Sequence, residues 1–371
     1  MNQADVQLLQ CIQCHGDLRI VAGDLDNGLL DNGLLGCADC GAEYPVIDGV
    51  GVFFRQSVLS HYLSEYELGR LSEMGAAHLA GNREQTLDPS ERRQLAVSEN
   101  WEYQWSEVIP FSVADLTSDA ENMFGENVFW RFIPLSPADI EGKTVFVACA
   151  GRGREVFHIS RRNPARIICN EIGTEIYAIR GLLPQWRDRL LLVRSDLCHN
   201  PLKPGVADVS ICDHALQHVP DHKLGFANLV RATGDRGLVC ICVYSYENNF
   251  AMTHVVEPLK SVMHRLPLRG QRMLAYLPGL MVWLVINLVY MPVRRVSERL
   301  FTRLPLHQHM LFWSHNSLGT LCWQCFDLIH APVSYHFRKE EILSLVREHR
   351  LSPRLLENTH GALWSLVALR E

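Results

Sequence analysis

Residues 143–155 read Lys-Thr-Val-Phe-Val-Ala-Cys-Ala-Gly-Arg-Gly-Arg-Glu. Val145, Phe146 and Val147 form a short apolar run without polar alternation, the pattern of a strand buried on both faces of a parallel sheet. The run ends in a turn holding Gly151 and Gly153, and a segment of helical periodicity follows. Strand, glycine turn and helix in this order bring backbone N–H groups close to a bound cofactor.

The same unit recurs downstream. Arg166–Asn170 reads as a second strand, and Glu171 stands at its end, 18 residues after Gly153, where a carboxylate can accept both hydroxyls of a ribose. Leu190–Arg194 reads as a third strand and leads into Ser195-Asp196-Leu197. Ala207–Cys212 reads as a fourth and leads into Asp213-His214. A helix ending over Thr233–Arg236 precedes a fifth, Gly237–Tyr244, and the segment from Arg354 onward reads as a closing hairpin. This alternation predicts an α/β fold with a doubly wound sheet.

The series resembles the class I S-adenosylmethionine-dependent methyltransferases over residues 100–371. VFVACAGRGRE stands at the family's first-strand motif, NEIG at its ribose-binding acid, RSDL at its adenine contact and ADVSICDHALQHVPD at its fourth strand. The resemblance implies S-adenosylmethionine as cofactor. It assigns cofactor binding to Ala150, Gly151, Gly153, Glu171, Asp196, Leu197 and Asp213. Tyr103 and Trp105 join them, in a segment similar to one preceding the core in one branch of these enzymes. The pattern departs from the family at Val147, where an acid is usual, and at Cys149, where the turn's first glycine is usual. Asp213, His214 and His218 are the candidate catalytic groups, since ligands bind at the carboxyl ends of such strands and histidine can act as a base near neutral pH. His214, His218 and His222 are spaced like one helical face, but Pro220 interrupts it.

Cys11-x-x-Cys14 and Cys37-x-x-Cys40 supply four thiolates with the spacing of a structural Zn2+ site; iron of the rubredoxin type is the alternative. The 22 residues between the pairs include a tandem DNGLL at 26–35, which accounts for the long gap. Residues 8–54 resemble the short zinc-ribbon proteins that accompany many methyltransferases, and in that family the ribbon can serve as an activating partner. The expected domains are a zinc ribbon (1–56), a helical connector and lid candidate (57–137), and a methyltransferase core (138–371) with a hydrophobic helical insertion at about 250–335. The connector is rich in aromatic residues, among them Trp101, Trp105, Phe111, Phe124, Phe129 and Trp130, which suits either core packing or a lid over a cofactor.

Residues 273–293 hold no charged side chain. The expectation is that Pro278-Gly279 breaks the run, leaving about 12 continuous residues. Three readings stand: a cap over the cleft, in-plane membrane contact, or a membrane span. Each points to a small-molecule or lipid-like, apolar methyl acceptor. His336 is expected near the active site, and Cys322-x-x-Cys325 as two packed thiols.

The 371 residues are 47% hydrophobic and 20% charged, enough for a sizeable core and outside the composition of a disordered chain. The net charge of −6 conceals a −6 balance over residues 1–56 and +6 over 257–303. Without a broad basic face, nucleic acid is not the expected partner. The two patches are expected either to attract each other or to leave the basic one facing a membrane or an anionic substrate. The N-terminus lacks a basic segment followed by an apolar one, and a cytoplasmic protein is expected, membrane-associated if the apolar segment meets a bilayer. A non-catalytic scaffold docking a partner through the ribbon, and an RNA or protein methyltransferase, are the competing functions.

Overall fold

The computed structural model describes residues 1–81, 86–108, 112–117, 123–250 and 252–371; Phe111 lies outside them. Its strands are β1 (Leu18–Ala22), β2 (Leu25–Asp26), β3 (Leu29–Leu30), β4 (Gly33–Cys37), β5 (Glu43–Ile47), β6 (Val50–Phe53), β7 (Thr144–Ala148), β8 (Arg166–Glu171), β9 (Leu190–Ser195), β10 (Ala207–Asp213), β11 (Thr233–Tyr244), β12 (Leu351–Thr359) and β13 (Leu363–Arg370). All but β2 and β3 join one sheet in the order β1-β4-β5-β6-β9-β8-β7-β10-β11-β13-β12.

Strands β7 to β11 run parallel, and β13 enters antiparallel between β11 and β12. The chain winds from β7 outward to β8 and β9, then crosses to β10 and β11 on the other side. The carboxyl ends of β7 and β10 therefore flank the switch point, the place where an open α/β sheet leaves a crevice. The central strands are buried almost throughout, as their apolar runs require.

Strand β11 starts earlier than expected. The helix His222–Ala232 stops before Thr233, and residues 233–237 extend into the strand instead of closing a helical turn. The Thr233 hydroxyl donates to the Leu229 carbonyl and pairs with the Ser210 hydroxyl, and a register shift opposite Ala207–Val209 absorbs the extra residues.

The ribbon continues the core sheet. Strand β6 pairs in parallel with β9, matching Val50 to Leu192 and Phe53 to Ser195. This covers the β9 edge, which would otherwise present unpaired backbone groups. Leu35, Tyr44, Val46 and Phe53 share one apolar cluster with Phe146, Ile168, Leu191 and Val193 of the core. The ribbon's acids also find core cations: Asp5 pairs with Arg166, Asp17 with Lys203, and Asp31 with Arg180 and Arg187. Among the described residues no ion pair joins the ribbon to the basic segment 257–303, so the expected attraction between the two patches is not seen.

The connector folds as helices Gln56–Tyr62, Glu65–Glu73 and Pro89–Tyr103, the last continuing as a wider turn over Gln104–Val108. Asp88 caps that helix with bonds from the Ser90 and Glu91 amides, and Pro89 occupies its first position. The apolar insertion departs from expectation. Helix Leu268–Val285 passes through Pro278 and continues through Ile286–Tyr290 to Met291–Val296. Proline removes one internal hydrogen bond. Packing along helix Leu318–His330 offsets that loss, because Gly279 lets the two backbones approach: a Cβ there would lie 2.7 Å from the Cys322 Cα.

Candidate active site and metal centre

A cleft of about 1050 Å³, partly open to solvent, lies at the carboxyl ends of β7, β8, β9 and β10. The turn after β7 forms its floor. Cys149 adopts φ 54° and Gly151 φ 51°, both left-handed. Glycine holds that conformation freely, whereas cysteine carries the steric cost of its Cβ. The substitution expected to matter at Cys149 is thus accommodated in the backbone conformation a glycine would take. The indole of Trp105 roofs Gly151, where an added Cβ would touch the ring at 3.3 Å.

Glu171 stands at the end of β8, beside this turn. Its Oε2 accepts the Gly151 amide at 2.7 Å, and its Oε1 accepts those of Ile172 (2.7 Å) and Gly173 (3.2 Å). Burial pushes the Glu171 carboxyl up, and the three amides pull it back. Asp196, after β9, accepts from the Cys198 amide at 2.9 Å and from Gln94 of the connector at 3.2 Å. Leu197 and Ala150 complete this end of the cleft.

Gly153 and Tyr103 are placed elsewhere. Gly153 (φ 95°) caps the helix Arg154–Ser160, and a Cβ there would press on Ile179 at 3.0 Å. Tyr103 does not line the cleft; its ring packs edge-on to Phe326, 6.1 Å between centroids. His336 sits behind the wall, its ring 5.6 Å from Tyr244.

At the end of β10 the Asp213 carboxylate is fully engaged. Oδ1 pairs with His214 Nδ1 at 2.6 Å, and Oδ2 takes the guanidinium of Arg154, itself 5% exposed. Burial raises the Asp213 pKa, but the charges of His214 and Arg154 outweigh it and hold the carboxyl below its usual range. Burial opposes a charged His214, but the Cys242 sulfur and Asp213 overturn this and raise its pKa well above the ordinary value. Asp213, His214 and Cys242 come within 4.8 Å of one another. A cation there would face the Arg154 guanidinium, so the group reads as an ion-pair network. The three histidines do not share a helix either: Leu216–His218 is a short turn, and the next helix starts at His222.

His218 differs from His214. Its Nδ1 lies 2.7 Å from the Val333 carbonyl, which can only accept, so Nδ1 carries the proton and Nε2 presents a lone pair. Burial lowers its pKa to about 3, which keeps the ring neutral. Nε2 has no partner, nor does Oε1 of the buried Gln104, whose Nε2 donates to Asp327 Oδ1 at 2.5 Å. Trp101, Trp323, Phe124 and Tyr244 wall this region. Arg154, Gln104, Trp323, Tyr244 and Asp327 escape a reading by motif, because three of them come from the connector and the late helix Leu318–His330, remote in sequence from the glycine turn.

The four cysteines of the ribbon meet as one cluster. Cys11 and Cys40 sulfurs are 3.6 Å apart, Cys14 and Cys37 3.4 Å, and all four lie within 4.8 Å. A tetrahedral zinc with bonds of about 2.3 Å needs sulfurs about 3.8 Å apart, so the donor set fits structural Zn2+. The Tyr44 hydroxyl, 3.1 Å from Cys11 Sγ, can donate to that thiolate from the ribbon core. Cys322 and Cys325 are buried free thiols, as expected.

Five parallel strands ordered 3-2-1-4-5 about the first, followed by an antiparallel seventh inserted inside the sixth, decide the architecture. The fold is that of the class I methyltransferases. Solved structures with a similar chain path include an S-adenosylmethionine-dependent methyltransferase from Aquifex aeolicus (9% identity, covering 65% of this chain and 92% of that one, TM-score 0.35). Two others are the 1,6-didemethyltoxoflavin-N1-methyltransferase of Burkholderia thailandensis (10%, 77% and 92%, 0.43) and the geranyl diphosphate C-methyltransferase of Streptomyces coelicolor A3(2) (11%, 75% and 98%, 0.42). No protein-family profile and no curated protein matches the chain.

Proposed function

We propose that the chain is an S-adenosylmethionine-dependent methyltransferase acting on a small or lipid-like, largely apolar acceptor that carries an N–H or O–H group. The observation that carries the reading is the pairing of Gly151 with Glu171 at the head of the cleft, with Asp196 and Leu197 beside it. Glu171 Oε2 accepts a single bond, which leaves a lone pair for a ribose hydroxyl. Asp196 and Leu197 offer a polar edge and an apolar face to an adenine ring. The cofactor supplies an electrophilic methyl group on a sulfonium. What this chain contributes is alignment and exclusion of water, through the Trp101, Trp105 and Phe124 roof.

The acceptor class follows from the unpartnered atoms. His218 Nε2 and Gln104 Oε1 are both acceptors set among aromatic rings, and a buried acceptor gains most from a donor. Of the three candidate bases, Asp213 is committed to Arg154 and His214 is held protonated by Asp213. His218 alone offers a lone pair. At a pKa of about 3 it is a weak proton sink, so it orients a donor rather than stripping it. This favours an acceptor atom nucleophilic as it arrives, such as an amine.

Isothermal titration with S-adenosylmethionine and S-adenosylhomocysteine tests the reading. Saturable binding of both is expected; no heat at millimolar cofactor would leave a scaffold that keeps the fold without the activity.

A further inference from the structure

The helical run Leu268–Val296 carries its bulk on the wrong side for a water-facing cap. Its buried positions, Gln271, Ala275, Gly279, Ile286 and Tyr290, recur at intervals of four and seven and so form one stripe. At its centre that stripe is Ala275 and Gly279, the smallest residues available, pressed on the helix Leu318–His330. The large apolar side chains point the other way: Met273 is 75% exposed, Leu277 62%, Met281 58% and Leu288 70%. An amphipathic helix on a soluble protein shows the reverse order. The preceding segment adds Val255, Leu259, Val262 and Leu266, exposed at helical spacing. Eighteen of the twenty-four exposed large hydrophobic side chains among the described residues fall between Phe250 and Leu300. Monomeric soluble surfaces rarely carry so concentrated a patch.

We propose that this face docks on an anionic lipid bilayer, with the helix lying in the plane of the interface. Charge names the partner. Exposed Arg265 and Arg269 precede the apolar run, and exposed Arg294, Arg295, Arg299 and Arg303 follow it, against Glu257 and Glu298. Three of the ribbon's acids, Asp5, Asp17 and Asp31, pair with core cations, and among the described residues no ribbon acid pairs with these arginines. Both ends of the helix are positive, so packing it on a second copy in either direction would set arginine against arginine. Anionic headgroups meet both ends.

Attachment decides the orientation. By length and composition the run is apolar enough to cross a membrane. Its middle, however, is fastened at Gly279 to Cys322, on a helix whose next residue, Trp323, and whose Asp327 line the cleft. A helix held along the body of the enzyme lies on the bilayer rather than through it. The cleft then stands one helix layer, about 10 Å, behind the lipid-facing surface. Docking needs no cofactor, so this inference stands or falls apart from the methyl-transfer reading.

Vesicle flotation tests it, using phosphatidylcholine vesicles with and without phosphatidylglycerol. Wild type should float with the phosphatidylglycerol vesicles, less with phosphatidylcholine alone, and less again as salt rises. Leu277→Glu with Leu288→Glu should cut vesicle binding by about tenfold or more. Arg295→Glu with Arg299→Glu should remove the preference for phosphatidylglycerol. These side chains are exposed, so melting temperatures should hold, and the arginine pair keeps the test alive if the leucine variant fails to fold. No flotation of the wild type would overturn the proposal, as would undiminished binding by a folded leucine variant. A lipid-free dimer that the leucine variant dissociates, in a protein that ignores vesicles, would assign the face to a second copy instead.

Discussion

The Arg194 guanidinium and the Glu67 carboxylate form a buried ion pair, with contacts of 2.6 and 2.7 Å and each side chain at most 1% exposed. Arg194 also donates to the Tyr62 and Ile172 carbonyls, and the Tyr177 hydroxyl donates to Glu67. The pair thus ties the connector helix Glu65–Glu73 to the end of β9, beside Glu171 and Asp196. Removing one partner leaves the other charged and buried, so Glu67→Ala should cost about 3–5 kcal/mol in urea unfolding. The double variant Glu67→Leu, Arg194→Met should recover most of it. An unchanged unfolding midpoint in Glu67→Ala would contradict this account.

Metal removal should reach the core. Since β6 pairs with β9, the ribbon and the core are expected to melt in one transition, and a chelator strong enough to strip zinc should lower its midpoint. Elemental analysis should find one zinc per chain. Tyr44→Phe should weaken zinc retention by about 10- to 100-fold through loss of the hydroxyl beside Cys11. A metal-free protein melting at the same temperature would show that the cluster is not structural.

Glu171→Ala should weaken S-adenosylmethionine binding by about 10- to 100-fold, the weight of hydrogen bonds to a charged group. It also strands the Gly151 amide that the carboxylate now accepts. Titration calorimetry reads the loss, and equal affinity in wild type and variant would remove Glu171 from the site.

Acid should unfold the protein early. Burial lowers the pKa of His158 to about 4 and those of His218 and His330 to about 3. Between these values and the ordinary imidazole value near 6.5, the unfolded chain binds protons that the folded chain refuses. Stability is therefore fully present above about pH 6.5 and lost as pH falls. Each such group contributes a slope of up to about 1.4 kcal/mol per pH unit. Thermal melts from pH 7.5 to 5 should show the decline, and His330→Phe should flatten it. Melting temperatures that do not change with pH over this range would refute the assignment.

Much of the architecture was legible in the chain because it is written in local patterns. The apolar runs of β7 to β10, the glycine turn and Glu171 lie close together in sequence, and backbone geometry alone brings them into one corner. Cys11, Cys14, Cys37 and Cys40 announced their cluster by spacing, since four thiolates with that periodicity have few other uses. The cleft's far wall carried no such signal. Gln104, Trp323 and Asp327 meet only because two remote helices fold over the same sheet edge, and His218 could be separated from His214 only through Val333 and Asp213. The apolar segment shows the division most sharply. Its sequence determined that 21 residues would avoid charge and be flanked by arginine. Only the tertiary structure decided that the helix runs on through Pro278, that its smallest residues face inward at Gly279, and that its largest face out. Hydrophobicity fixes how much apolar surface a helix owns, whereas the shape of its neighbour decides which side of it remains uncovered.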